Sequence, residues 1–165
     1  MAYRYCPTCG SPLQTYPLAG RSRQACPDLD CGWVHWDNPL PVVAALIQCM
    51  DRDGAVLLAR NRAWTTPFFG LITGFLERDE SPEEAVAREV MEETALVARR
   101  ASLIGAYPFQ RKNELILAYH VEAAGEIVLN EELAEYRLVA PEALRPWEAG
   151  TGLAVADWLK GRRGG

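Results

Sequence analysis

Val42-Val43-Ala44-Ala45-Leu46-Ile47 is an unbroken apolar run, the pattern of a strand buried on both faces. Asp51-Arg52-Asp53-Gly54 follows with the composition of a hairpin turn, so residues 55–60 are predicted to return antiparallel. A short strand is expected over 71–75. The period then changes. Ser81 as N-cap, Pro82 at the first helical position and Glu84 completing a capping box predict a helix over 82–94. Val86, Val90, Thr94 and Val97 share the sector of that pattern that would pack on a sheet. Further strands are expected at 102–107, 114–122, 126–129 and 136–139, with one helical turn at 141–144. Residues 151–160 predict an amphipathic helix with Leu153, Val155, Ala156 and Leu159 as its apolar stripe, before a frayed Gly-Arg-Arg-Gly-Gly end. These elements predict an α/β domain, one mixed sheet flanked by helices.

The first 37 residues follow a different pattern. They hold four of the five cysteines, as Cys6-Pro-Thr-Cys9 and Cys26-Pro-Asp-Leu-Asp-Cys31, each pair followed by a glycine. That spacing predicts a closed zinc site of four cysteines in a small ribbon at 1–37, ahead of a larger domain at 38–165. A segment this short buries too little apolar surface to fold alone, so Zn²⁺ would supply its folding energy. A disulfide framework is the competing reading, and the odd cysteine count speaks against it. The fifth, Cys49, fits a small buried hydrophobe. Asp37-Asn38-Pro39-Leu40-Pro41 is a stiff connector between the two parts.

Composition narrows the partners. A net charge of −5 over 165 residues, and a ribbon whose Arg4, Arg21 and Arg23 are offset by Asp28, Asp30 and Asp37, make nucleic acid an unlikely partner. No apolar run reaches the ~20 residues that span a bilayer. The start lacks a basic-then-apolar leader, so a cytoplasmic protein is expected. The ribbon is free to stiffen the chain, cover a site or form a homodimer.

The chemistry concentrates on the 82–94 helix. At ~100° per residue, Glu89, Glu92 and Glu93 fall in one sector about 100° wide. Carboxylates so placed repel one another and cost helix stability unless a cation joins them. Mg²⁺ or Mn²⁺, which take oxygen ligands and suit phosphate substrates, would turn that cost into a site. Glu83 and Glu84 by contrast fit a solvated helix face.

The residues Gly74, Glu80, Arg88, Glu89, Val90, Glu92, Glu93 and Leu96 resemble the signature of the Nudix hydrolases: Gly, five residues, Glu, seven residues, then Arg-Glu-aliphatic-x-Glu-Glu-x-Gly-aliphatic. One position departs, with Ala95 standing where the family has glycine. The resemblance implies an α/β/α sandwich that hydrolyses a nucleoside diphosphate linked to another group, a small-molecule substrate. It implies Glu89, Glu92, Glu93 and the Gly74 carbonyl as Mg²⁺ or Mn²⁺ ligands. Glu89 would orient or deprotonate the water, and Arg88 would fix the carboxylate of Glu80 or Glu89. Glu131, Glu132 and Glu135 are candidates for a further ligand. The combination of ribbon and signature is similar to the bacterial NADH pyrophosphatases, and position in that resemblance favours Glu132. Those enzymes carry Ser-Gln-Pro-Trp-Pro-Phe-Pro after the signature, where this chain has Gly105-Ala106-Tyr107-Pro108-Phe109-Gln110. Tyr107 and Phe109 either stack on a base or nicotinamide ring or pack in the core. Trp64, Phe68 and Phe69 either close the pocket or pack. Arg111 and Lys112 either touch phosphate or stay solvated, and His35 and His120 read as structural. The alternative function is a non-catalytic nucleotide-sensing or nucleic-acid-binding module.

Overall fold

The computed structural model describes residues 3–163, so Met1 and Ala2 of the start and Gly164 and Gly165 of the glycine-rich end lie outside the described residues. Two compact units are present, Met1–Asn38 and Pro39–Gly165. In the first, β1 (Gln14–Leu18) and β2 (Arg21–Ala25) form an antiparallel hairpin that the cysteine spacing did not suggest. Its turn uses Ala19 and Gly20, both at positive φ.

The second unit is built on β3 (Leu40–Cys49), β4 (Ala55–Asn61), β5 (Ile72–Phe75), β6 (Val97–Phe109), β7 (Glu114–Ala124) and β8 (Leu133–Val139). The strand order is β6-β7-β3-β4-β8, with β5 also pairing β3. β3 and β7 run parallel at the centre. One edge of β3 is shared by two antiparallel partners: Ile47–Cys49 pair with β4, while Val42–Ala45 pair with β5. The sheet therefore forks along β3.

Both faces of the sheet are covered, which is why β3 reads as a continuous apolar run. Val43, Ala45, Ile47 and Cys49 enter one core with Ala85, Val86 and Val90 of α1 (Pro82–Thr94). Val42, Ala44 and Leu46 enter the other with Ala154 and Val155 of α2 (Gly152–Arg163). Period-2 alternation along one strand thus fills two cores.

α1 has the predicted bounds because its start is specified locally. Ser81 caps the Glu84 amide, and the Glu84 carboxylate accepts from the Ser81 amide at 2.8 Å. Several expectations shift elsewhere. Val97 begins β6 and is half exposed rather than packing with α1. Residues 126–129 are not a strand; Ile127 and Leu129 pack on the α1-side core, while the Val128 amide donates to the Thr94 carbonyl at the helix end. α2 continues past Lys160 into the end read as frayed, and buries Ala154 and Val155 while Leu153 faces out. Glu83 is not merely solvated, since the Tyr119 hydroxyl donates to it at 2.8 Å. No helix of the described residues is long and apolar enough to cross a membrane.

Candidate active site

Gly74 lies on β5 with α1 packed so close that a Cβ there would sit 1.9 Å from the Glu89 carboxylate. Only glycine permits this approach. It sets an acid directly against the β5 backbone. Arg88, one residue earlier, holds the surrounding charge in place. Its Nε and Nη2 grip both oxygens of Glu80 at 3.1 and 2.8 Å, Nη1 reaches Glu89 at 2.7 Å and Glu92 at 3.1 Å, and Nη2 also donates to the Phe75 carbonyl. A planar guanidinium can serve these acceptors at once; an ammonium cannot. Glu80 in turn accepts from the Glu77 amide at 2.7 Å, which ties down the loop between β5 and α1. Arg88 and that amide hold the Glu80 carboxyl below the usual carboxylate range.

Glu89, Glu92 and Glu93 open onto one cavity of about 410 Å³ that also takes in Gly74 and Glu132. Glu93 is nearly buried. Its burial, with the carboxylates of Glu89, Glu132 and Glu92 nearby, pushes it up to about 7. Glu132 reaches the cavity through a local device. The Asn130 side chain accepts from the Glu132 and Leu133 amides at 3.0 and 3.3 Å, and the Asn130 amide donates to the Glu93 carbonyl. Glu135 lies elsewhere, bonded to Arg60 across the β4–β8 ladder at 2.7 Å. Hard oxygen donors around an open cavity, two of them held by the Arg88 guanidinium, suit a divalent cation that keeps part of its water shell.

The helix exit carries the departure from the signature. Ala95 adopts φ 58°, ψ 9°, and its amide donates to the Met91 carbonyl. The backbone therefore keeps the left-handed turn that glycine usually provides, and alanine bears the strain.

Beside the acidic cavity lies a second of about 430 Å³, with Trp64, Phe68, Phe109 and Trp147 in its wall. Trp64 and Phe68 are 5.4 Å apart between ring centroids, and Phe68 meets Trp147 edge-on at 5.3 Å. Gly70 leaves room for the pair, since a Cβ there would come within 3.1 Å of Phe68. The two cavities share Val42, Thr73, Lys112 and Glu114.

Tyr107 and Phe69 are placed outside both linings. Tyr107 faces the α2 side of the sheet and donates to Asp157 at 3.0 Å, and Phe69 sits 3.9 Å beneath the Arg137 guanidinium. Sequence reasoning missed Trp147, Thr73 and Glu114. Trp147 follows a proline in a stretch with no periodicity. Glu114 had one signal, a carboxylate directly before the apolar run Leu115-Ile116-Leu117-Ala118. His120 is bonded to Gln48 at 2.9 Å and lines neither cavity, and within the N-terminal unit His35 stacks with Trp33.

In the N-terminal unit the four cysteines converge. The Sγ atoms of Cys6, Cys9, Cys26 and Cys31 all lie within 4.8 Å of one another, with Cys6–Cys31 at 3.6 Å and Cys9–Cys26 at 3.5 Å. Tetrahedral thiolates around zinc at about 2.3 Å stand about 3.8 Å apart. The donor set fits such an ion.

The NUDIX domain family matches residues 39–158. The chain belongs to the Nudix family. Among its curated relatives, the NAD-capped RNA hydrolase NudC of Stutzerimonas stutzeri (strain A1501) is 33% identical over 134 residues, covering 81% of this chain and 46% of that protein. The protein of the same name from Pseudomonas aeruginosa (strain LESB58) is 31% identical over 166 residues, covering 98% and 57%. The chain thus spans about half the length of these relatives. Among solved structures, a NUDIX hydrolase from Nitrosomonas europaea superimposes with a TM-score of 0.80 at 22% identity, covering 99% of this chain and 94% of that one. At that identity the likeness is one of fold. A MutT protein from Methanosarcina mazei Go1 has a TM-score of 0.60 at 25% identity, covering 79% and 99%.

Proposed function

We propose that this Nudix chain hydrolyses the pyrophosphate bond of a nucleoside diphosphate linked to a second moiety, such as NADH, ADP-ribose or a related compound. The observation that carries the reading is the shared wall between an acidic cavity and an aromatic one. A molecule with a flat ring at one end and phosphates a few bonds away fits that pair. A cavity of about 430 Å³ falls in the range of small-molecule sites and takes one base or nicotinamide ring between its aromatic side chains.

Glu89, Glu92, Glu93, Glu132 and the Gly74 carbonyl would hold Mg²⁺ or Mn²⁺. Such an ion supplies charge neutralisation on the phosphoryl oxygens and lowers the pKa of water. The chain's own residues do the rest. Glu89, fixed against Gly74 and by Arg88, orients the attacking water and takes its proton. Water oxygen bonds to one phosphorus, the bond from that phosphorus to the bridging oxygen breaks, and two monophosphates leave. Arg88 and Glu80 keep the acids in register without touching substrate. Trp64, Phe68, Phe109 and Trp147 hold the ring and exclude water. The four thiols bind a structural Zn²⁺, and free thiols of this kind call for a reducing compartment, the cytoplasm.

The relatives named NAD-capped RNA hydrolases make dinucleotides the first compounds to test. The assay is a panel of NADH, NAD⁺ and ADP-ribose with Mg²⁺ or Mn²⁺, the products being read by ³¹P NMR. Two monophosphates are expected from wild type and none from Glu92→Gln. Turnover unchanged in Glu92→Gln refutes the assigned site. A wild type that binds a nucleotide and cleaves none of the panel favours the sensing module instead.

A further inference from the structure

Lys112 ends a 3-10 turn over Gln110–Lys112, between the tip of β6 and the start of β7. Asn113 then takes φ 54°, and its carbonyl accepts from the Leu40 amide at 2.9 Å, which fastens the turn to β3. Among the described residues, Lys112 is the basic side chain that borders both cavities; Arg111 borders the aromatic one alone. Glu114 also borders both. Its backbone is fixed in two ladders, opposite Leu40 of β3 and Phe109 of β6, and its side chain is mostly buried. The Lys112 ammonium lies 3.8 Å from the Glu114 carboxylate and is itself largely exposed.

An ion pair this loose, with its ammonium in solvent, adds little stability. Its consequence is positional. A lysine stem has four carbons and many rotamers, and Glu114 confines its charged end to the boundary between the cavities. A ligand whose ring enters the aromatic cavity and whose far phosphate approaches the acids must pass that boundary with its nearer phosphate. The acidic side offers that phosphate repulsion, so a cation is needed there, and the ammonium can exchange or share its carboxylate partner for a phosphate oxygen.

We infer that Lys112 binds the phosphate next to the stacked nucleoside, and that Glu114 is the positioning residue that keeps the ammonium there. The inference rests on the reading of the aromatic cavity as the nucleoside site and extends it to a residue for the phosphate. It does not depend on hydrolysis.

The test is binding without Mg²⁺ or Mn²⁺. On zinc-replete protein with neither ion added and no chelator present, calorimetry measures the affinity of matched pairs, a nucleoside and its 5′-monophosphate, for adenosine, guanosine, cytidine, uridine and nicotinamide riboside. For the pair that binds best, wild type is expected to favour the monophosphate by about tenfold, the scale of one hydrogen bond to a charged group. In Lys112→Met the preference falls to about one while nucleoside affinity is unchanged, and Lys112→Arg restores it. Glu114→Gln reduces the preference in wild type and changes nothing in the Lys112→Met background, because its effect passes through the lysine. A full preference in Lys112→Met overturns the inference. An effect of Glu114→Gln that persists without the lysine overturns the positioning role. If no pair binds wild type, the nucleoside reading of the cavity fails and the inference with it. If the preference behaves as expected but no dinucleotide is hydrolysed, the hydrolase reading alone falls.

Discussion

The thiol cluster of the N-terminal unit and the carboxylate cavity of the larger one both gather potential cation ligands, yet they arrange them in opposite ways. The four sulfurs converge to within 4.8 Å, with all four ligand positions filled by the protein. The carboxylates instead ring about 410 Å³ of open space. Their repulsion is held in check by Arg88, which reaches Glu80, Glu89 and Glu92 at once. A closed soft-ligand site makes structure, because nothing is left for a substrate to bind. An open hard-ligand site tolerates internal strain and leaves room for reaction. In the first, the ion would hold the fold together; in the second, the fold holds the charges ready for the ion.

That contrast can be broken most severely at the sulfurs. Cys31→Ser, or stripping with a strong chelator, should unfold the N-terminal unit, since structural zinc binding in small domains is worth on the order of 10 kcal/mol. Residues 39–165 should stay folded. Limited proteolysis with mass spectrometry reads both, and a protease-resistant N-terminal unit after zinc loss would show that its fold does not need the ion. At the carboxylates the same logic predicts a loss of rate with little loss of fold. Glu89→Gln should lower kcat by about 10²–10⁴-fold. Gly74→Ala should cost on the order of 100-fold by displacing that acid from the β5 backbone. Both should keep a wild-type circular dichroism spectrum. Arg88→Lys tests how the charges are held: with the fork lost, activity should fall about 10–100-fold and the metal requirement should rise. Wild-type metal titration curves from this variant would mean the guanidinium fork is dispensable.

The smallest effect concerns Ala95. Ala95→Gly removes a left-handed alanine and should raise stability by about 1 kcal/mol. That corresponds to about 2–4 °C in Tm for a chain of this size. A lower Tm would show that the methyl group's packing outweighs the backbone strain.

The parts of the fold that were legible in the sequence are those specified by neighbouring residues. α1 could be bounded because Ser81, Pro82 and Glu84 act within four positions, and the β3–β4 hairpin because Asp53 and Gly54 both take positive φ. The acidic cluster was legible for the same reason, being one helix face. What could not be read depends on residues distant in sequence. Residues 126–129 have the apolar content of a strand, but the Val128 amide is claimed by the Thr94 carbonyl at the end of α1. Tyr107 and Phe109 stand two apart on β6 and point the same way, yet only Phe109 lies far enough along the strand to reach the aromatic cavity. Tyr107 meets Asp157 of α2 first. Trp147 meets Phe68 across 79 residues of sequence from a segment outside any helix or strand, so nothing local announces it. Glu132 was favoured by resemblance, and the physical reason for its placement, the Asn130 side chain, lay unread two residues before it.

The fork along β3 has a consequence for how such a protein could diversify. Because β4 and β5 occupy successive stretches of one strand edge, the segment between them, which carries Trp64 and Phe68, leaves β4 after Asn61 and rejoins it where Gly70 pairs with Ala59. Two of the four aromatic groups that would choose the ligand, Trp64 and Phe68, can be rewritten by exchanging that short excursion, while Glu89, Glu92 and Glu93 remain on α1. Altered selectivity would then be reachable through a handful of substitutions that leave the reactive apparatus untouched.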